Sequence, residues 1–210
     1  GIDTYKPAEK PACFGANNHG SIVEIGGEWY IFYHRQTNNS WYSRQGCAEK
    51  ITFNEDGSIP QVEITSCGRN GGPLTDIGEY PAHIACNLFN DKNQMYVGEL
   101  QAANVSKDRE DGVKDPSYVR DIFDNTTVGF KYFDLKGVKG IRIASRGYGK
   151  GEFLVKTAID AEPLAKISVD FCTAWTVGTA DFTVPDGVYP LYFTFKGMGN
   201  KTLLNFEFLH

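Results

Sequence analysis

Two short alternating runs, 21–25 and 28–34, meet at Gly26-Gly27. Two glycines between alternating runs signal a tight β-hairpin, because glycine adopts positive φ without a Cβ clash. In the second run Trp29, Ile31 and Tyr33 share one face, and Tyr30, Phe32 and His34 share the other. Both faces are aromatic or apolar, so this strand needs cover on both sides. A lone hairpin cannot supply it, and the run therefore belongs to a larger packed β unit.

The following segment extends that unit. A third strand is expected within 41–53, a turn at Asn54-Glu55-Asp56-Gly57, and a fourth strand over 61–65. Four short antiparallel strands make one propeller blade, which on its own leaves open edges. Residues 66–78 (SCGRNGGPLTDIG) are rich in glycine and polar side chains and read as a linker. The boundary falls near 75–85, dividing the chain into 1–75 and 76–210. Beyond it, strand-like runs are expected at 95–100, 128–133, 140–145, 152–157, 165–169, 178–184, 189–196 and 203–209. Turns such as Gly147-Tyr148-Gly149-Lys150-Gly151 and Pro185-Asp186-Gly187 separate them. Short strands at regular spacing, with no helical period, predict an all-β chain whose second part is a β-sandwich.

Composition narrows the function classes. Aromatics make up 13% of the 210 residues, which suits strands and also suits sugar recognition. The net charge is −5 and no basic run stands out, so nucleic acid is not an expected partner. No apolar stretch approaches the roughly 20 residues of a membrane helix. Five widely spaced cysteines, Cys13, Cys47, Cys67, Cys86 and Cys172, form neither a disulfide framework nor a zinc pattern. No leader is visible. The chain opens with Gly1 rather than Met, so secretion, a periplasmic location and a bacterial cytoplasm all stay open.

The run GANNHGSIVEIGGEWYIFYHRQTNNSWYSRQGCAEKITFNEDGSI resembles the last propeller blade of glycoside hydrolase family 43. The stretches TTVGFKYFDLKGVKGIRIASRGYGKGEFLVKTAID and WTVGTADFTVPDGVYPLYFTFKGMGNKTLLNFEF resemble a family 6-type carbohydrate-binding module, a jelly-roll sandwich, over roughly residues 95–210. Such modules commonly follow family 43 catalytic domains, so the two resemblances support each other.

The resemblance implies roles for particular residues. The histidine of the NHG motif, His19, would face the central channel of the propeller, near a bound cation and the sugar pocket. Arg44, in SRQGCAEKITF, would contact sugar hydroxyls, work suited to five donors in a fixed fork. His34 reads instead as a hydrogen-bonded structural residue. Family 43 hydrolysis inverts and uses an Asp base, a Glu acid and a further Asp. Those carboxylates come from earlier blades, so none is assigned here, and Glu24, Glu28 and Glu49 lack the surrounding motifs. In the second part Tyr118 and Trp175 are the expected aromatic pair gripping a sugar, whereas Phe130 and Tyr132 read as core or sheet face. Leu204 stands where an Asn is expected, with Asn205 one position away and so on the other strand face. Glu99 and Gln101 are the expected ligands of a calcium ion (Ca2+), weakened by Ala103 where an acid is usual.

Three functions compete at this point. The chain is the C-terminal part of a plant-polysaccharide hydrolase with a sugar-binding sandwich, or its sandwich only braces the propeller, or copies assemble into an active glycosidase. The expected partner is an arabinose- or xylose-containing saccharide, and the exposed blade segment is expected to pair two copies.

Overall fold

The computed structural model describes residues 19–36, 44–89, 104–107 and 117–210. Among these residues there is no α-helix, only strands, two single-turn 3-10 segments and loops. The N-terminal sheet contains β1 (Ser21–Ile25), β2 (Glu28–Gln36) and β3 (Arg44–Ile51), in that spatial order and antiparallel. Gly26 and Gly27 both take positive φ, +63° and +84°, and so close the β1–β2 turn that the sequence predicted.

The fourth blade strand is not formed. Residues 61–65 are irregular, and the Thr65 backbone is held by a side chain rather than a ladder. Glu49 on β3 accepts from the Thr65 N–H at 2.7 Å and from the Thr65 hydroxyl at 2.6 Å. A strand requires a neighbouring row of carbonyls. Here a carboxylate binds the passing chain first.

The rest of the chain builds two six-stranded sheets. Their strands are β4 (Leu74–Thr75), β5 (Glu79–Pro81), β6 (Asn87–Phe89), β7 (Asn104–Lys107), β8 (Ser117–Ile122), β9 (Thr127–Leu135), β10 (Gly140–Gly147), β11 (Lys150–Lys156), β12 (Ala165–Val169), β13 (Cys172–Asp181), β14 (Gly187–Met198) and β15 (Lys201–Leu209). One sheet runs β13-β10-β15-β8-β7, with β5 also on β15. The other runs β12-β11-β14-β9-β4, with β6 also on β9. Each sheet takes strands from distant parts of the chain, as a jelly-roll does. The expected run 95–100 lies outside the described residues.

The core is packed with phenylalanine. Phe130, Phe133, Phe153, Phe193 and Phe195 come from one sheet, and Phe206 and Phe208 from the other; all are buried. Phe206 is the hub, with ring centroids 4.7 Å from Phe130, 5.4 Å from Phe193 and 5.6 Å from Phe133. Tyr132 turns outward, and its hydroxyl donates to Glu63. This matches the reading of Phe130 and Tyr132 as core and sheet face.

The sequence segment read as a linker lies against the sandwich. The Ser66 N–H donates to the Lys131 carbonyl at 2.5 Å, and the Lys136 N–H donates to the Asp76 carboxylate at 2.6 Å. Buried Lys131 reaches Glu63 at 3.1 Å, which satisfies its ammonium. Cys47, Cys67, Cys86 and Cys172 are free thiols.

Candidate functional site

Strand register brings three of the singled-out polar residues to one face of the N-terminal sheet. Ser21 pairs with Phe32, so His19 continues the row toward His34, and the two imidazoles meet edge-on at 4.9 Å. His34 pairs with Gly46, and Gln36 pairs with Arg44. Directly paired residues share a face, so His19, His34 and Arg44 line one side of the sheet. Gly46 puts no side chain opposite His34, and a Cβ there would meet nothing within 4 Å. The result is a shallow polar face with two imidazoles and a guanidinium. His34 was read from sequence as structural only. The alternation that places it beside His19 across the hairpin was the signal for more.

The opposite face of the same strands is fixed to the sandwich. Arg35, only 7% exposed, donates from Nη1 to the Cys86 carbonyl and from Nη2 to the Ala85 carbonyl, both at 2.7 Å. Gln45 donates to the His83 carbonyl at 2.6 Å. Tyr33 donates to Glu49 at 3.2 Å. Burial pushes the Tyr33 phenol far above its ordinary range, with the nearby Glu49 charge adding to the effect. Burial likewise raises the Glu49 carboxyl, against the lowering pull of its Thr65 hydrogen bonds. Tyr132 is pushed up to about 12, first by burial and then by its bond to Glu63. Glu49 and Tyr132, with Glu63 and Thr65, line a cavity of about 260 Å³ between β3, residues 60–73 and Tyr132. Their carboxylates are engaged with Thr65, Tyr33, Lys131 and Tyr132, which gives the cavity the character of a joint.

In the sandwich, Tyr118 and Trp175 do come together, on β8 and β13, with ring centroids 5.8 Å apart and edge-to-face. They sit on strands rather than loops, and Tyr118 is only 6% exposed. The Arg146 guanidinium lies 4.2 Å above the Trp175 ring centre and 5.3 Å from that of Tyr118. A cation over a ring face is held by the ring quadrupole. Arg146 thus covers one face of the Trp175 ring. Beside it opens a cleft of about 320 Å³ bordered by Tyr118, Arg120, Asp121, Tyr148 and Asn200. The ring of Tyr148 and that of Phe171, neither singled out from sequence, are the largest exposed aromatic surfaces near it.

Glu99 and Gln101 lie outside the described residues, so the structure gives no geometry for the expected calcium ligands. Among the described residues no group of three His, Cys, Asp or Glu is placed to hold a metal ion. No described helix is long and apolar enough to cross a membrane.

Comparison with known proteins agrees with this architecture. No family model matches the chain. A protein of Thermoclostridium stercorarium named xylosidase/arabinosidase is 53% identical over 98% of the chain, and the chain spans 45% of that relative's length. A glycoside hydrolase family 43 arabinoxylan arabinofuranohydrolase from Bacillus subtilis, solved with cellotetraose, superposes with a TM-score of 0.63 at 19% identity, over 94% of this chain and 42% of that one. A family 6 carbohydrate-binding module from Clostridium cellulolyticum, solved with xylose, gives 0.54 at 14% identity, over 65% of this chain and the whole of the module. The two structures establish shared folds. Over nearly its whole length the chain is similar to part of a xylosidase/arabinosidase, and it shares its fold with a glycoside hydrolase family 43 arabinofuranohydrolase and, in the sandwich, with a family 6 carbohydrate-binding module.

Proposed function

We propose that this chain serves the hydrolysis of arabinose- or xylose-containing plant polysaccharide, supplying part of a sugar pocket and a saccharide-binding sandwich. The observation that carries the reading is the His19–His34–Arg44 face, in a chain 53% identical to a xylosidase/arabinosidase. Arg44 would donate to sugar hydroxyls, and the imidazole of His19 would border the pocket and its cation. The catalytic carboxylates are not assigned to any residue here. The division into 1–75 and 76–210 belongs to the same proposal, as does a calcium ion held through Glu99 and Gln101. Affinity electrophoresis tests the binding part. The chain should be retarded in gels containing arabinoxylan and not in gels containing dextran, and equal mobility in both would refute it.

A second reading is favoured by the Arg35 and Gln45 contacts: the sandwich braces the strands whose other face carries His34 and Arg44. The readings are compatible, because one end of the sandwich grips the blade while another remains open. A homodimer is proposed through β1, which pairs only with β2 among the described residues and leaves Ile22, Val23 and Ile25 exposed.

A further inference from the structure

The segment between the blade strands and the sandwich holds the one asparagine of the chain that is followed directly by glycine, Asn70-Gly71. It closes a single 3-10 turn. The Asn70 N–H donates to the Cys67 carbonyl at 3.0 Å and the Gly71 N–H to the Gly68 carbonyl at 3.3 Å, while Gly71 takes a φ of +71°. The Asn70 side chain folds forward across this peptide. Its Nδ2 donates to the Gly72 carbonyl at 3.0 Å and to the Pro73 carbonyl at 3.2 Å. Bonds in that direction turn Cγ toward the Gly71 nitrogen. Asn70 is itself exposed, so water reaches it.

These features meet the needs of an intramolecular attack. The nucleophile is the Gly71 nitrogen, which no neighbouring Cβ shields and whose hydrogen bond is the longer of the two in the turn. The electrophile is the Asn70 amide carbon, held on the same side by two hydrogen bonds. Holding the two groups together removes much of the entropic cost of their meeting. The place also matters for the architecture. A Cβ on Gly71 would lie 3.0 Å from the Tyr30 hydroxyl and 3.3 Å from Lys50 Cδ, so this turn presses its backbone against β2 and β3. Gly68, Gly71 and Gly72 line the same cavity as Glu49 and Tyr132, between the blade strands and the sandwich.

We propose that Asn70 is a site of spontaneous modification, cyclising onto the Gly71 nitrogen, and that its products loosen the joint between blade and sandwich. The bond from the Gly71 nitrogen to Cγ forms and the bond from Cγ to Nδ2 breaks. The Gly71 proton passes to solvent base, and the side-chain nitrogen leaves as ammonia. Water then opens the succinimide at either carbonyl, giving aspartate or isoaspartate, with no change of oxidation state. Either product replaces a donor with a carboxylate, which can only accept, beside the Gly72 and Pro73 carbonyls that the amide had satisfied. Isoaspartate also routes the main chain through Cβ, and so displaces the glycine that rests on Tyr30.

Incubation of the whole chain at mildly alkaline pH, followed by peptide mapping in the mass spectrometer and enzymatic methylation of isoaspartyl carboxyls, tests the site. Conversion should concentrate at Asn70 and slow at mildly acidic pH, because the attacking nitrogen must lose its proton. Asn54, exposed and followed by Glu55, serves as the internal control and should stay intact. Asn70→Gln keeps an amide but must close a larger ring, and should not convert. Limited proteolysis tests the consequence. The incubated chain should be cut within 19–75 several-fold faster than the fresh chain, and Asn70→Asp should show that sensitivity before any incubation. Asn70 left intact while Asn54 converts overturns the site. Conversion at Asn70 with the cleavage rate unchanged, in both the incubated chain and Asn70→Asp, overturns the loosening of the joint.

Discussion

Replacing Arg35 with Met should separate the stability of the blade from that of the sandwich. The guanidinium makes two buried, charge-assisted hydrogen bonds of 2.7 Å, to Ala85 and Cys86. Bonds of this type contribute roughly 1.5–3 kcal/mol each, so the gross loss is about 3–6 kcal/mol. Methionine retains the packing of the stem and removes the cost of burying a cation that carbonyls alone satisfy, which offsets part of the loss. A net destabilisation of about 2–4 kcal/mol remains, mostly from two carbonyls left buried without donors. For a domain of this size that lowers the melting temperature by roughly 5–15 °C. Arg35→Lys, which can reach one carbonyl at a time, should fall between. The assay is thermal unfolding followed by circular dichroism, with limited proteolysis to show that 19–75 is released first. A shift under about 2 °C for Arg35→Met, with no change in the cleavage pattern, would show that Arg35 does not couple the two parts.

Other outcomes follow from the same geometry. Phe206→Ala removes the ring at the centre of the phenylalanine cluster and should cost about 3–5 kcal/mol in urea unfolding. Glu49 has a folded pKa above its unfolded value, so its contribution to stability is fullest below the ordinary carboxylate range and is lost as pH rises through the raised value. Glu49→Gln should therefore gain on wild type between acid and neutral pH in matched denaturant titrations, and parallel curves would contradict the assignment. Ile22→Lys on the open β1 edge should convert any dimer seen by sedimentation to monomer, and an unchanged dimer would place the interface elsewhere.

Much of the fold was legible because alternation and turn residues are local signals. Gly26-Gly27 between two alternating runs specified the β1–β2 hairpin, and the runs around Phe153, Ile167 and Phe193 specified sandwich strands. The short pairings of β4, β5 and β6 were not legible, since two or three residues carry no period and their partners lie far along the chain. The expected fourth strand at 61–65 failed for a related reason: the Glu49 carboxylate, distant in sequence, claims the Thr65 backbone. Site residues divide in the same way. His19 and Arg44 were found through a motif, and register then places His34 with them. Tyr118 and Trp175 do touch, but Arg146, whose guanidinium lies over the Trp175 ring, sits on a neighbouring strand that no local pattern links to them. Tyr148 had a local sign that went unused, an aromatic ring flanked by Gly147 and Gly149 at a turn, where burial is not available.

The proposed function puts a saccharide on the sandwich, while the Arg35 contact with the Ala82–Cys86 turn holds the blade strands to it. Backbone amide chemical-shift mapping during titration with β-1,4-xylohexaose tests that claim most directly. It should give saturable shifts at sandwich residues, with the Ala82–Cys86 turn and its Arg35 contact unperturbed. Shifts confined to the blade strands, or none at saturating saccharide, would contradict it.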